Sequence, residues 1–178
     1  MNYYLSNDNV ELIPYNKKHN KKTVKWLNDS ETKHDFGLTK NITLKEHRKW
    51  LQDQNNVCLW AIYEKQSNEH CGNLILFKNP NHRSAFFQIY IGDKRYRKKG
   101  LSKSSLIVMM NFVFHHLKFH RLWLNVFSTN YKAISLYENL GFTKEGIERE
   151  SHYYKNNYKN QVRYSILKEE WLIKEGIK

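Results

Sequence analysis

Cysteine is almost missing from this chain: Cys58 and Cys71 are the two thiols in 178 residues. Their spacing fits no zinc pattern, and two thiols make no disulfide framework. Both fall in apolar, strand-like segments where a thiol serves as a small hydrophobe, and neither lies in a motif that would make it a nucleophile. No metal site is expected. Two prolines and seven glycines exclude a collagen-like chain and leave no flexible linker. No run approaches the roughly 18 apolar residues of a membrane helix. The opening MNYYLSNDNVELIPYNKKHN lacks a basic start, an apolar run and a small-residue cleavage site. These absences lead to the expectation of a reduced, soluble, cytoplasmic protein with no membrane partner. With no repeat or low-complexity block, residues 1–178 read as one domain.

Acidic residues are scarce as well. Lys and Arg total 30 against 17 Asp and Glu, giving +13 and a pI near 9.6. That balance suits an anionic partner such as a nucleotide, a phosphorylated small molecule or nucleic acid. Lys and Asn are spread along the whole chain, however, so charge alone does not specify nucleic acid. What is abundant is aromatic: 15% of residues, with 40% apolar overall, enough to fill a core at this length.

Periodicity supplies the elements. Residues 10–14 read as a first strand and 21–28 as a weak helix. Thr43 and Glu46 form a T-x-x-E capping box, and Leu44, His47, Trp50 and Leu51 then share one helical face. Residues 57–63, 72–77 and 85–91 are short apolar strands separated by polar turns. After Gly100, LSKSSLIVMMNFVFHHLKF is apolar almost all round and reads as a buried helix. Residues 121–127 alternate as a strand, 130–140 form an amphipathic helix ending at Gly141, and KNNYKN turns the chain from a sixth into a seventh strand, 161–167. The order βααβββαβαββ contains a strand–long helix–strand unit over 85–127, which demands a parallel pair. The expected fold is α/β (α+β): one sheet of about seven strands flanked by about four helices.

The stretch IYIGDKRYRKKGLSKSSL carries the strongest chemistry. A strand runs into a basic turn and a helix begins at once, so the N–H groups from Gly100 to Ser104 lack intrahelical partners and face outward with the positive end of the helix dipole. Gly100 removes a side chain where a phosphate would approach the backbone. Arg95, Arg97, Lys98 and Lys99 add charge, and Ser102 and Ser104 add hydroxyls. Neither the G-x-x-x-x-G-K-[ST] nor the G-x-G-x-x-G pattern is present.

Taken with RLWLNVFSTNYKAISLYENLGF at 121–142, this stretch resembles the GNAT superfamily of acetyl-CoA-dependent N-acetyltransferases. Arg97, Gly100 and Ser102 fall on its R-x-x-G-x-(G/A) motif; Asn130, Ala133, Ile134, Leu136, Tyr137, Gly141 and Phe142 fall on N-x-x-A-I-x-L-Y-E-x-x-G-F. The resemblance implies a mostly antiparallel sheet splayed between its two central parallel strands, and acetyl-CoA as co-substrate. It implies that backbone around Arg97, Lys98, Lys99, Gly100, Leu101, Ser102 and Lys103 holds the pyrophosphate. The pantetheine would lie along the strand edge from Phe87 through Ile89 to Ile91 and meet Asn130. Tyr137 would protonate the departing thiolate, its other reading being a tyrosine packed on a helix face. The sequence departs from the pattern at Ser102, where Gly or Ala is usual, at Lys98, where Gly is frequent, and at Phe86, which stands where some relatives carry a glutamate base.

The acceptor amine would arrive from the side of the first two helices. His34 and Asp35, expected in a loop, and His82, before the cofactor strand, are the candidate proton acceptors. Glu46 reads more simply as the capping partner of Thr43, and His47 as a histidine at the core edge. W-L-N-D-x-E and I-T-x-x-E-H-x-x-W-L resemble two branches of the superfamily. One acetylates nucleotide-linked amino sugars in bacterial surface-glycan synthesis; the other acetylates protein N termini, including ribosomal ones. The basic balance favours a sugar diphosphate and suits a polyamine badly. A basic nucleic-acid module built on this scaffold, using Tyr153, Tyr154 and Tyr158, is the alternative of another class. A homodimer is among the expected assemblies.

Overall fold

Where the apolar period switches from two to nearly four, strand gives way to helix. A computed structural model describes residues 3–176, and there the chain forms eight strands and six α-helices. In chain order these are β1 (Leu5–Ser6), β2 (Val10–Pro14), α1 (Asn20–Leu27), α2 (Ser30–Phe36), α3 (Leu44–Asp53), β3 (Val57–Glu64), β4 (Glu69–Asn79) and β5 (Ser84–Ile91). There follow α4 (Leu101–Asn111), β6 (Arg121–Phe127), α5 (Tyr131–Asn139), β7 (Thr143–Tyr154), β8 (Asn157–Leu167) and α6 (Lys168–Lys174). The sheet order is β1-β2-β3-β4-β5-β6-β8-β7, with β5 and β6 parallel and every other pair antiparallel.

Four expectations need correction. The two-residue β1 and the short α6 carry too few periodic residues to register in the sequence. The segment holding His34 and Asp35 is helical rather than a loop, because Asp29 caps α2 by accepting from the Glu31 and Thr32 N–H groups. The last hairpin turns at Lys155 and Asn156, both at positive φ, so residues 157–160 of the KNNYKN run belong to β8. The buried helix stops at Asn111 and passes into a π-helical turn, Phe112–His116.

The core explains this arrangement. Leu106, Met109 and Met110 of α4 and Val113 and Phe114 of the π turn are fully buried against the sheet. At roughly 1.5–3 kcal/mol for each large side chain removed from water, α4 locks the crossover between β5 and β6. Those two strands pair only at Ser84–Arg121, Ala85–Leu122 and Phe86–Trp123. Beyond Phe86 they diverge, as the resemblance implies, and the backbone of residues 87–91 on one side and 124–127 on the other is left unpaired across the gap. The alternation of β5 sends Ala85 and Phe87 into the α4 side, and Gln88 and Tyr90 into a cavity under α1, α2 and α3.

Candidate active site

The anion cradle is made of backbone. Gly100 caps α4 at φ +75°, and a Cβ there would meet nothing within 4 Å, so the space in front of the helix start is open. Lys98 also adopts positive φ, 62°, which is the physical reason glycine suits that position. The first N–H groups of α4, from Leu101 to Lys103, have no intrahelical acceptor, and none is supplied by other backbone among the described residues. Arg97 serves by clamping: its Nε donates to the Ile91 carbonyl at 3.0 Å and its guanidinium pairs with Glu31. Arg95 is held by Asp93, and the Ser104 hydroxyl accepts from Asn9. Lys98, Lys99 and Lys103 form no ion pair among the described residues, and Lys99 Nζ lies over the Tyr96 ring, 4.9 Å from its centroid.

Tyr137 stands in the gap between β5 and β6. Its ring packs against Phe87 and Phe142, each 5.9 Å away, and it is 8% exposed, yet its hydroxyl has no hydrogen-bond partner among the described residues. Burial raises its pKa, and the nearby Asp35 carboxylate adds to the effect. The phenol is therefore a proton donor at any neutral pH. Asn130 spends its side-chain oxygen on capping α5, accepting from the Ala133 N–H at 3.2 Å, which leaves the amide NH₂ available. The Tyr137 ring is packed, as the second reading of the sequence had it, and the hydroxyl is left without a partner among the described residues.

On the opposite face of the sheet lies a cavity of about 410 Å³. Tyr15, Thr23, Phe36, His47, Trp50, Asn73, Gln88 and Tyr90 line it, with Lys40 and Glu46 also present. A hydrogen-bonded chain fixes its floor. The Tyr15 hydroxyl is 2.9 Å from His47 Nε2; Asn73, 1% exposed, donates to Thr23 Oγ1 at 2.9 Å and to the Tyr90 hydroxyl at 2.6 Å. A second cavity of about 710 Å³ shares Tyr15, Trp50 and Leu59 with the first. It is lined by Asn16, Lys17, Asn20, Arg48, Gln52 and Gln54.

The profile of the Acetyltransferase (GNAT) domain matches residues 9–143. The chain belongs to the GNAT acetyltransferase family. It is similar to the N-acetyltransferase 9-like protein of Nematostella vectensis, at 26% identity over 154 residues, 79% of this chain and 77% of that one. It is 35% identical over 94 residues to the spermidine N(1)-acetyltransferase of Escherichia coli K12, covering 53% of this chain and 50% of that one. The fold matches the spermidine N-acetyltransferase of Vibrio cholerae, solved with CoA and spermine, at a TM-score of 0.86 and 24% identity, over 93% of this chain and 99% of that one. This GNAT member is thus an acetyl-CoA-dependent N-acetyltransferase, and the open turn before α4 fits the co-substrate's pyrophosphate.

The residues singled out in the sequence are distributed unevenly around this site. Gly100, Leu101, Ser102 and Lys103 converge at the start of α4, and Ile89 lies on the open edge of β5. The Ile91 carbonyl is already an acceptor for Arg97, so the free part of that edge runs over residues 87–90. His34, half exposed, approaches Asp35 at 3.3 Å and packs near Phe127 and Tyr154, on the β6 side of the gap. His82 sits in the turn before β5, five residues upstream of Phe87. It therefore lies beyond the closed end of the β5–β6 pair, which starts at Ser84–Arg121. Phe86 packs against Trp123, with ring centroids 4.6 Å apart and planes tilted by 42°. Tyr15, Asn73, Gln88 and Tyr90 escaped notice in the sequence. An Asn inside CGNLILF and a Gln inside AFFQIYI, polar groups in otherwise apolar strands, were the available signals.

Proposed function

We propose that this enzyme transfers acetyl from acetyl-CoA, by direct attack, to the primary amine of a nucleotide-linked amino sugar. The observation that carries the reading is the pairing of the two cavities. The one beside β5 is aromatic and nearly neutral; the adjoining one presents Lys17 and Arg48, which form no ion pair among the described residues, together with four side-chain amides. Asn20 is 3% exposed, and its buried side-chain oxygen has no hydrogen-bond partner among the described residues. A diphosphate between Lys17 and Arg48 would gain charge-assisted hydrogen bonds, and the Trp50 and Tyr15 rings offer stacking surfaces to a base.

Direct attack needs no acyl-enzyme. Burial pushes the Cys71 thiol up to about 12 and raises that of Cys58, so neither supplies a thiolate nucleophile. Tyr137 would deliver the proton to the leaving sulfur. A polyamine is the second reading, favoured by the names of two relatives. Against it, Glu46 is the single carboxylate lining either cavity, and it is already bonded to Thr43 and Lys40.

Thiol release measured with UDP-, dTDP- and GDP-linked amino sugars, spermidine and N-terminal peptides tests the proposal. A nucleotide sugar should turn over fastest, and the Lys17→Gln/Arg48→Gln double variant should raise its KM about tenfold, 1.4 kcal/mol, without moving that of acetyl-CoA. Turnover of spermidine or a peptide alone would refute the sugar assignment.

A further inference from the structure

The cavity beside β5 offers little charge to an incoming amine. Lys40 and Glu46 oppose each other at 3.1 Å, and the Thr43 N–H and hydroxyl occupy the other Glu46 oxygen. These bonds, Thr43 first, hold the Glu46 carboxyl down at about 2, which makes it a poor base at neutral pH. Burial pushes the Tyr15 phenol up to about 12 and raises that of Tyr90, so both stay protonated. An ammonium in this space would be desolvated without a free carboxylate opposite it, a costly state. The amine has to lose its proton here, and Phe86 offers no carboxylate to take it.

His47 is the remaining ionisable group on the wall. It is 5% exposed, lies over Trp50 with the rings 13° from parallel, and its Nε2 is 2.9 Å from the Tyr15 hydroxyl. Its Nδ1 makes no hydrogen bond among the described residues. Burial alone lowers its pKa, with no contribution from Lys40, Glu46 or the two phenols, so the ring is neutral and ready to accept. Asp35 lies by Tyr137, where its charge faces the leaving-group side.

We propose that His47, acting through the Tyr15 hydroxyl, is the proton acceptor for the attacking amine. The amine N–H donates to the Tyr15 oxygen while Tyr15 passes its own proton to His47 Nε2. The freed lone pair forms the C–N bond to the acetyl carbonyl, the C–S bond breaks, and the thiolate takes the Tyr137 proton. The imidazolium then releases its proton to water and Tyr137 regains one. That second proton comes from the acylated nitrogen, so the ammonium gives up two protons in all, one ending on sulfur and one in water.

This inference rests on acetyl transfer to an amine and holds for whichever acceptor of the screen releases thiol fastest. His47→Gln keeps a hydrogen-bonding group near Tyr15 but cannot act as a base. It should lower kcat at pH 7 by about 10²-fold, leave the acetyl-CoA KM unchanged, and abolish the acid limb of kcat/KM, which in the wild type lies below pH 6.5. Tyr15→Phe should reproduce the kcat loss with the fold intact. An acid limb that survives in His47→Gln and Tyr15→Phe but vanishes in Asp35→Asn would overturn the proposal. If no amine in the screen turns over, the acceptor assignment fails, and an NMR titration of the His47 ring still decides this one: a ring found protonated at pH 7 refutes it.

Discussion

The two halves of this site are made of different material. On the proposed reading, the co-substrate half, from β5 to the start of α4, is built from backbone: unpaired N–H groups, two left-handed residues and an open strand edge. The acceptor half, under α1, α2 and α3, is built from side chains that touch one another through Tyr15, His47, Asn73 and Tyr90. A backbone site tolerates sequence change as long as the chain path survives, and Lys98 keeps a left-handed backbone at φ 62°. A side-chain site changes its chemistry with every substitution. On the proposed reading, this lets the first half be shared across a family while the second decides the acceptor.

The contrast can be broken most sharply at Tyr137. Tyr137→Phe removes a hydroxyl and keeps the ring against Phe87 and Phe142. We expect kcat to fall about 10²-fold, the lower end for a general acid, with unchanged acetyl-CoA affinity in equilibrium binding. An unaltered kcat under conditions where chemistry limits the rate would return Tyr137 to packing. Next in size, Gly100→Asp places a carboxylate in the open space before α4. Acetyl-CoA KM should rise about 30-fold, near 2 kcal/mol, while acceptor KM stays put; an equal rise in both would mean that the two halves are not separable.

The smallest effect is on stability. Burial, with His70 and Lys18 adding to it, pushes the His19 imidazole down to about 4, and burial lowers His70 and His47 too. All three lie on the acceptor side. Because the folded-state values lie below the ordinary 6.5, the unfolded chain binds more protons in that window. Stability is therefore full above about pH 6.5 and declines as pH falls toward about 4. Thermal melts should show Tm dropping by several degrees across that range, and His19→Gln should flatten the slope. A flat wild-type profile would mean that these rings are not held neutral.

How much of this was legible beforehand follows the same division. Asn130 and Tyr137 were singled out through the resemblance to the GNAT motifs, and Arg97 and Gly100 because a basic turn running into a helix is written along one stretch of chain. The strand–helix–strand unit at 85–127 and the Thr43–Glu46 box were readable for the same reason. His82 lies in the turn before β5, as the sequence indicates, but sequence proximity to β5 does not say at which end the strands part. The helicity of His34 and Asp35 was hidden because Ser30–Phe36 buries one residue, Thr32, and so shows almost no apolar period. Tyr15 meets His47 across 32 residues and Asn73 meets Thr23 across 50. Contacts of that range leave no local trace.

The parting of β5 from β6 has a further consequence, for folding rather than catalysis. A sheet interrupted at its centre keeps two raw edges inside the molecule, each able to accept a foreign strand. On the proposed reading, the extended arm of acetyl-CoA occupies one of them as a ninth, non-protein strand. The co-substrate is then linked to the folding equilibrium as well as to the reaction. At a hundred times its dissociation constant it would add about 2.7 kcal/mol to stability. Amide exchange along residues 87–90 would slow in step with its concentration, so that the protein's solidity follows the supply of its own acetyl donor.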